Sequence, residues 1–113
     1  MIRIEAIIRP SRLDEVKGAL DDIGVTGISV VEIKGAGKQK GYTQHYRGSE
    51  YKVNLLPKIQ LMVVVADADQ DRVVSAIEDS ARTGEIGDGK IFVSKVTEVV
   101  RIRTGERGDA AIS

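Results

Sequence analysis

Twice along this chain, a run of apolar residues spaced by two gives way to one spaced by three and four, and that repeated switch constrains the fold more than any other feature. In the first instance Ile2, Ile4, Ala6 and Ile8 share one face of an extended segment over residues 2–9, which Pro10 stops. Ser11 then stands as a helix N-cap. Leu13, Val16, Leu20 and Ile23 recur at helical spacing, Asp14 and Glu15 occupy the first turn, and Gly24 supplies the stop. Ile28, Val30 and Ile33 predict a second strand that ends at Gly35-Ala36-Gly37. In the second instance Ile59, Leu61, Val63 and Val65 alternate. Val73, Val74, Ile77 and Ala81 follow at helical spacing, behind Asp67, Asp69 and Asp71, which complement a helix N-terminus by capping and solvation. Ile91, Phe92 and Val93 form a further strand, residues 96–103 extend or flank it, and a polar tail, mobile in isolation, is expected from Thr104 onward.

The order is βαββαβ, the split-βαβ or ferredoxin-like plan, an α+β fold in which an antiparallel sheet carries two helices on one face. Residues 1–113 form a single domain. Ile7, Val31, Met62 and Val64 are out of phase with the helix-covered face, which leaves the other face too apolar for water. A homo-oligomer packing sheet against sheet is the expected cover.

Residues 38–54 interrupt the pattern. They hold Gly41, Gly48 and all three tyrosines without an apolar period, and a loop of that length inside a compact domain points to function. Tyr42, Tyr46, Tyr51 and Arg47 are the residue types that anchor protein interfaces, and the Tyr and Ser49 hydroxyls are open to a modifying enzyme. The bland reading is a solvated loop with incidental tyrosines.

A second unusual stretch is the turn Gly84, Gly87, Gly89 ending in Lys90, between the second helix and the last strand. Glycines let backbone N–H groups approach an anion, and a lysine adds a point charge suited to phosphate. The spacing is not that of a Walker A loop, and a strand rather than a helix follows. By itself the turn serves either a phosphate or an ordinary reversal. Arg101 and Arg103 alternate with Ile102 and would project together from an extended segment, while Gly35, Gly37 and Lys38 form a second glycine-and-lysine cluster. These groups converge on a polyphosphate only if the fold or a neighbouring subunit joins them. Otherwise they are solvated charges.

Composition excludes several classes. Seventeen basic and seventeen acidic residues cancel, which argues against non-specific nucleic-acid binding, and one Phe, three Tyr and no Trp leave little to stack on bases. The absence of cysteine removes disulfides, thiolate nucleophiles and cysteine-ligated zinc. His45, the only histidine, lies in the long loop without a rigid partner. The opening Met1-Ile2-Arg3-Ile4-Glu5 is no signal peptide, so a cytoplasmic location is expected by default. The visible chemistry is that of binding, not catalysis.

The segment Tyr46-Arg47-Gly48-Ser49-Glu50-Tyr51 resembles the loop signature of the PII signalling family, and Thr83-Gly84-Glu85-Ile86-Gly87-Asp88-Gly89-Lys90-Ile91-Phe92-Val93 resembles its second signature. The likeness runs nearly end to end. It includes Ala6-Ile7-Ile8-Arg9-Pro10, Gly35-Ala36-Gly37-Lys38-Gln39-Lys40-Gly41 and Arg101-Ile102-Arg103-Thr104-Gly105-Glu106.

This resemblance implies a homotrimer with ATP or ADP in the clefts between subunits. By analogy the nucleotide would meet Ile7, Ser29, Gly35, Gly37, Lys38, Gln39, Val64, Gly87, Asp88, Gly89, Lys90, Arg101, Ile102 and Arg103. Mg²⁺ on the ATP phosphates would take Gln39, and 2-oxoglutarate would meet Gln39, Lys40, Gly41 and Lys58. Residues 37–55 would be the T-loop, 82–90 the phosphate loop and 99–113 a C-terminal segment. Tyr46, Arg47 and Tyr51 would dock partners, among them an ammonium channel, the only route to a membrane, and enzymes of nitrogen metabolism. Tyr51 or Ser49 would be the site for a modifying transferase or kinase. Ala36, Gln44, Met62 and Lys38 depart from the commoner Phe, Glu, Glu and Arg of the family, and Lys38 exchanges a bidentate fork for a point charge. Alternatives of other classes are a slow ATPase, an RNA-binding ferredoxin-like domain and a trimeric metal-tolerance-like protein.

Overall fold

The computed structural model describes residues 1–25, 27–37, 43–46, 49–52 and 55–112. The chain runs through strand β1 (Ile2–Ile8), helix α1 (Leu13–Asp22), strand β2 (Ser29–Gly35), short strands β3 (Thr43–Tyr46) and β4 (Ser49–Lys52), strand β5 (Leu56–Val65), helix α2 (Gln70–Ala81) and strand β6 (Lys90–Lys95). β1, β2, β5 and β6 form one antiparallel sheet in the order β2-β5-β1-β6, the ferredoxin-like arrangement expected from the apolar periods.

The alternation in β1 is what fixes its register. Ile2, Ile4, Ala6 and Ile8 are buried, and Ile4 and Ala6 lie opposite Val63 and Leu61 of β5. A slip of one residue would turn this whole set to the other face, so the pairing is strongly specified. Val16 and Leu20 of α1 and Val73, Ile77 and Ala81 of α2 close the core from above. Each fully buried Ile or Leu contributes about 1.5–3 kcal/mol.

The helices run antiparallel and are tied at both ends. Arg12, before α1, donates through Nε and Nη2 to the Ser80 carbonyl late in α2, at 3.0 and 2.6 Å. Arg72, early in α2, donates to the Ile23 carbonyl at 2.8 Å, occupying an acceptor that the end of α1 leaves open. Gly24, at φ 83°, ends α1 as expected. Its N–H reaches Asp21 O at 3.0 Å and that of Val25 reaches Leu20 O at 2.9 Å, the paired bonds of a Schellman cap.

Several local expectations are corrected. Ser11 is no side-chain cap, because Pro10–Arg12 is a 3₁₀ turn that leads directly into α1. Nor do the aspartates cap α2 with their side chains. Asp67–Asp69 is another 3₁₀ turn, Asp69 pairs with Arg72 at 3.0 Å, and Asp67 takes the N-terminal ammonium at 2.6 Å. Within the stretch read as a loop, β3 and β4 pair from Thr43↔Lys52 to Tyr46↔Ser49. A two-stranded ladder held by backbone hydrogen bonds needs no apolar period, so periodicity does not reveal it. Residues 101–104 make a turn rather than an extended run, so Arg101 and Arg103 do not project by strand alternation. The tail folds back, with Gly105 N–H on Arg101 O at 2.8 Å, Gly108 N–H on Val99 O at 3.0 Å and a bridge between Val100 and Arg107.

The second sheet face carries Ile7, Val31, Met62 and Val64, as their phase predicts. Phe92, half exposed, faces the same way through its pairing with Glu5. Ile33 also belongs there, opposite Lys58, whereas Val30 faces the helices opposite Leu61. No helix among the described residues is long and apolar enough to cross a membrane.

Candidate functional site

One corner of this open face is built into a cavity. β1 ends at Ile8, and the turn between α2 and β6 lies across that end. Gly84, Gly87 and Gly89 have φ of 91°, 105° and 96°, the left-handed region that only glycine enters readily. At Gly89 the backbone also passes so close to β1 that an added Cβ would sit 1.6 Å from the Ile7 carbonyl oxygen. Glycine is required there twice over, by conformation and by space.

The turn is held by three charged side chains. Asp88 accepts from the backbone N–H of Thr83 and of Gly84, each at 2.8 Å, from the Thr83 hydroxyl, and from Arg9 Nε at 2.9 Å. Arg9 Nη2 donates to the Ile86 carbonyl at 2.8 Å. Lys58, only 9% exposed, donates from Nζ to the Gly87 carbonyl at 2.6 Å. Ile86, Gly87 and Asp88 are thus each gripped by a cation reaching up from the sheet.

Burial pushes the Lys58 ammonium down from the usual lysine value, the Arg9 charge adds to the effect, and Asp88 opposes it. A cation held in so buried a corner marks a candidate binding group. Asp88 is held well below the usual carboxylate range, first by the Thr83 hydroxyl, then by Arg9 and the Thr83 and Gly84 amides. A depressed folded-state value means that this carboxylate's contribution to stability is complete above the unfolded value of about 4 and is lost as pH falls through the folded-state value. The stability advantage of the wild type over Asp88→Asn should therefore shrink as pH is lowered from about 5 towards 2. Acid titration followed by circular dichroism checks this, and parallel curves over that range would refute it.

The cavity encloses about 790 Å³ and is lined by Gly35 and Gly37 at the end of β2, by Ile7 and Lys58, and by residues 85–90. Of the residues expected to bind nucleotide, Ile7, Gly35, Gly37, Gly87, Asp88, Gly89 and Lys90 meet here, as does Lys58, expected to bind 2-oxoglutarate. Ser29 and Val64 do not. Val64 pairs with Arg3, four residues along β1 from Ile7 and so about 13 Å away, and Ser29 pairs with Met62. Arg101, Ile102 and Arg103 sit on the C-terminal turn, where Arg101 pairs with Glu106 at 2.7 Å and Ile102 is 99% exposed. Lys38, Gln39, Lys40, Gly41 and Arg47 lie outside the described residues, and Tyr46, Ser49 and Tyr51 fall on β3 and β4.

Sequence reasoning missed Arg9, Ile33 and Phe92. Ile33 and Phe92 line the cavity, and Arg9 braces the turn at its edge. The period of two that places Ile7 on the open face carries Arg9 to the same side, so the signal for Arg9 was present. Phe92 follows in the same way from Lys90.

Fold and cavity define a ferredoxin-like domain with a cation-bearing pocket at the open face of its sheet. The family model for nitrogen regulatory protein P-II matches residues 1–106. The chain is 59% identical over 112 residues to the nitrogen regulatory protein P-II of Rhizobium meliloti strain 1021, a match spanning 99% of this chain and 100% of the relative. With the same coverage it is 58% identical to that of Azospirillum brasilense and 54% identical to nitrogen regulatory protein P-II 1 of Escherichia coli K12. The chain belongs to the P-II family of nitrogen regulatory proteins.

Proposed function

We propose that this chain is a non-catalytic cytoplasmic sensor that binds ATP or ADP, and 2-oxoglutarate beside MgATP, and reports the choice through residues 37–55. The observation that carries the reading is the single cavity in which both glycine clusters meet Lys58 and Lys90. Its volume of about 790 Å³ suits a nucleotide-sized ligand. The left-handed glycines and the two lysines form a cradle that fits phosphate, and the open apolar face beside it supplies Ile7 and Phe92 for a base or ribose.

Gly37, Lys38, Gly87, Gly89 and Lys90 would hold the phosphates. Gln39 would take Mg²⁺, which supplies charge neutralisation between the phosphates, and Lys58 with Gln39, Lys40 and Gly41 would receive the dicarboxylate. In a homotrimer the residues remote from the cavity, Ser29, Val64, Arg101, Ile102 and Arg103, would complete a neighbour's site, and the apolar sheet faces would cover one another. Each ligand would shift the arrangement of residues 37–55 by its differential affinity for the two states. Tyr46, Arg47 and Tyr51 would dock an ammonium channel or nitrogen-assimilation enzymes. A group added to Tyr51 or Ser49 by a transferase or kinase would block that docking.

Isothermal calorimetry with ATP, ADP and 2-oxoglutarate, each with and without Mg²⁺, tests the reading. 2-Oxoglutarate should bind only when MgATP is present. Lys90→Ala and Arg103→Ala should each weaken MgATP about tenfold or more while the oligomer stays assembled in sedimentation. Absence of binding by either nucleotide would refute the proposal.

A further inference from the structure

Asp88 accepts four hydrogen bonds from the protein on its two carboxylate oxygens. Two come from the first amides of the turn, at Thr83 and Gly84, and a third from the Thr83 hydroxyl. The fourth is the Arg9 guanidinium, whose other arm holds the Ile86 carbonyl. A turn with three left-handed glycines has the largest backbone freedom to lose on ordering, so its shape has to be imposed from outside. Arg9 is anchored for that purpose. It follows directly on β1, is itself only one-fifth exposed, and is fixed by the neighbouring Pro10 at the head of a 3₁₀ turn. A negative charge is also the wrong group to present to a phosphate, unless that charge is already spent on a cation and on amides.

We infer that Asp88 and Arg9 are a positioning pair, which sets the turn 83–89 in its anion-receiving shape before any ligand arrives, and that the Asp88 carboxylate serves the turn rather than the ligand. The inference rests on the nucleotide reading above for the identity of the anion, and on the hydrogen bonds alone for the positioning. Arg9 also spends its charge on Asp88 and Ile86, which leaves Lys34, Lys58 and Lys90 as the cations that line the cavity among the described residues.

The test compares wild type, Asp88→Ala, Asp88→Asn and Arg9→Lys. Amide hydrogen exchange in the ligand-free protein reads the positioning, and calorimetry with MgATP reads its consequence. In Asp88→Ala the Thr83 and Gly84 amides should exchange about tenfold faster while those of Ile4 and Leu61 in the core stay protected, and MgATP should bind roughly 30-fold more weakly. Asp88→Asn keeps an acceptor oxygen but loses the charge, and Arg9→Lys keeps the charge but loses the fork, so both should fall between the extremes. Should the alanine variant fail to fold, the asparagine and lysine variants carry the same two measurements. Unchanged exchange at Thr83 and Gly84 would overturn the inference. So would equal or tighter MgATP binding by Asp88→Ala, the result expected of a carboxylate that merely crowds the phosphate. If the wild type itself ignores MgATP, the nucleotide reading fails, while the exchange rates still decide for or against the positioning pair.

Discussion

Gly89→Ala is expected to lower the thermal midpoint by about 10–25 °C and, on the nucleotide reading proposed above, to abolish nucleotide binding in whatever protein remains folded. Two costs add at this position. A φ of 96° is strained for any residue with a Cβ, worth about 1–3 kcal/mol. The Cβ itself would lie 1.6 Å from the Ile7 carbonyl oxygen and 2.7 Å from its carbon, and both are backbone atoms of the central strand that cannot swing aside. Relieving that overlap moves the turn off β1 or bends β1 away from β6, at a further 1–3 kcal/mol or so. The total of about 2–6 kcal/mol is a large share of a domain's stability. Gly84→Ala is the control. Its φ of 91° carries similar strain, but its Cβ would meet nothing within 4 Å, so it should lose only about half as much. Calorimetric melting of both variants checks the difference, and a Gly89→Ala midpoint within a few degrees of wild type would refute it.

The contrast between these glycines shows where the sequence is informative. The double switch of apolar period was enough to place β1, α1, β2, β5, α2 and β6, because burial on one face imposes a repeat on the residues that supply it. Left-handed glycines were legible as a turn, but not that Gly89 rests on β1 and Gly84 on nothing, since that depends on an approach between segments some 80 residues apart. Separation along the chain likewise hides the clasp of Arg9 on Asp88, 79 residues apart, and the grip of Lys58 on Gly87, 29 apart. The split of the expected nucleotide residues into a group at the cavity and a group remote from it comes from register. Ile7 and Val64 are both on the open face, yet β1 and β5 run antiparallel and carry them to opposite ends. The β3–β4 ladder was invisible for the opposite reason, since pairing through the backbone requires no pattern of side chains.

Lys58→Met should separate ligand binding from folding more sharply than any other change. The stem of Lys58 packs over Gly35, where an added Cβ would meet Lys58 Cγ at 3.4 Å, and methionine keeps most of that contact. What is lost is a cation that burial disfavours. Its folded-state pKa is lowered, so the protonated form is the one folding penalises. That penalty operates at neutral pH and disappears only as pH rises through the unfolded value of about 10.4. Methionine removes the penalty. Against this, the Gly87 carbonyl loses the donor it holds at 2.6 Å, a cost of about 1 kcal/mol. The two effects oppose each other, and the melting midpoint should stay within about 5 °C of wild type. Binding has no such compensation. A dicarboxylate entering this corner would bring a charge out of water to face methionine, so its affinity in the presence of MgATP should fall roughly 100- to 1,000-fold, or about 3–4 kcal/mol. Calorimetry and melting on the same preparation decide the matter. Retained 2-oxoglutarate binding would remove Lys58 from the ligand site. A midpoint that collapsed together with the affinity would make its role the bracing of Gly87, with the ligand sensing the turn rather than the lysine.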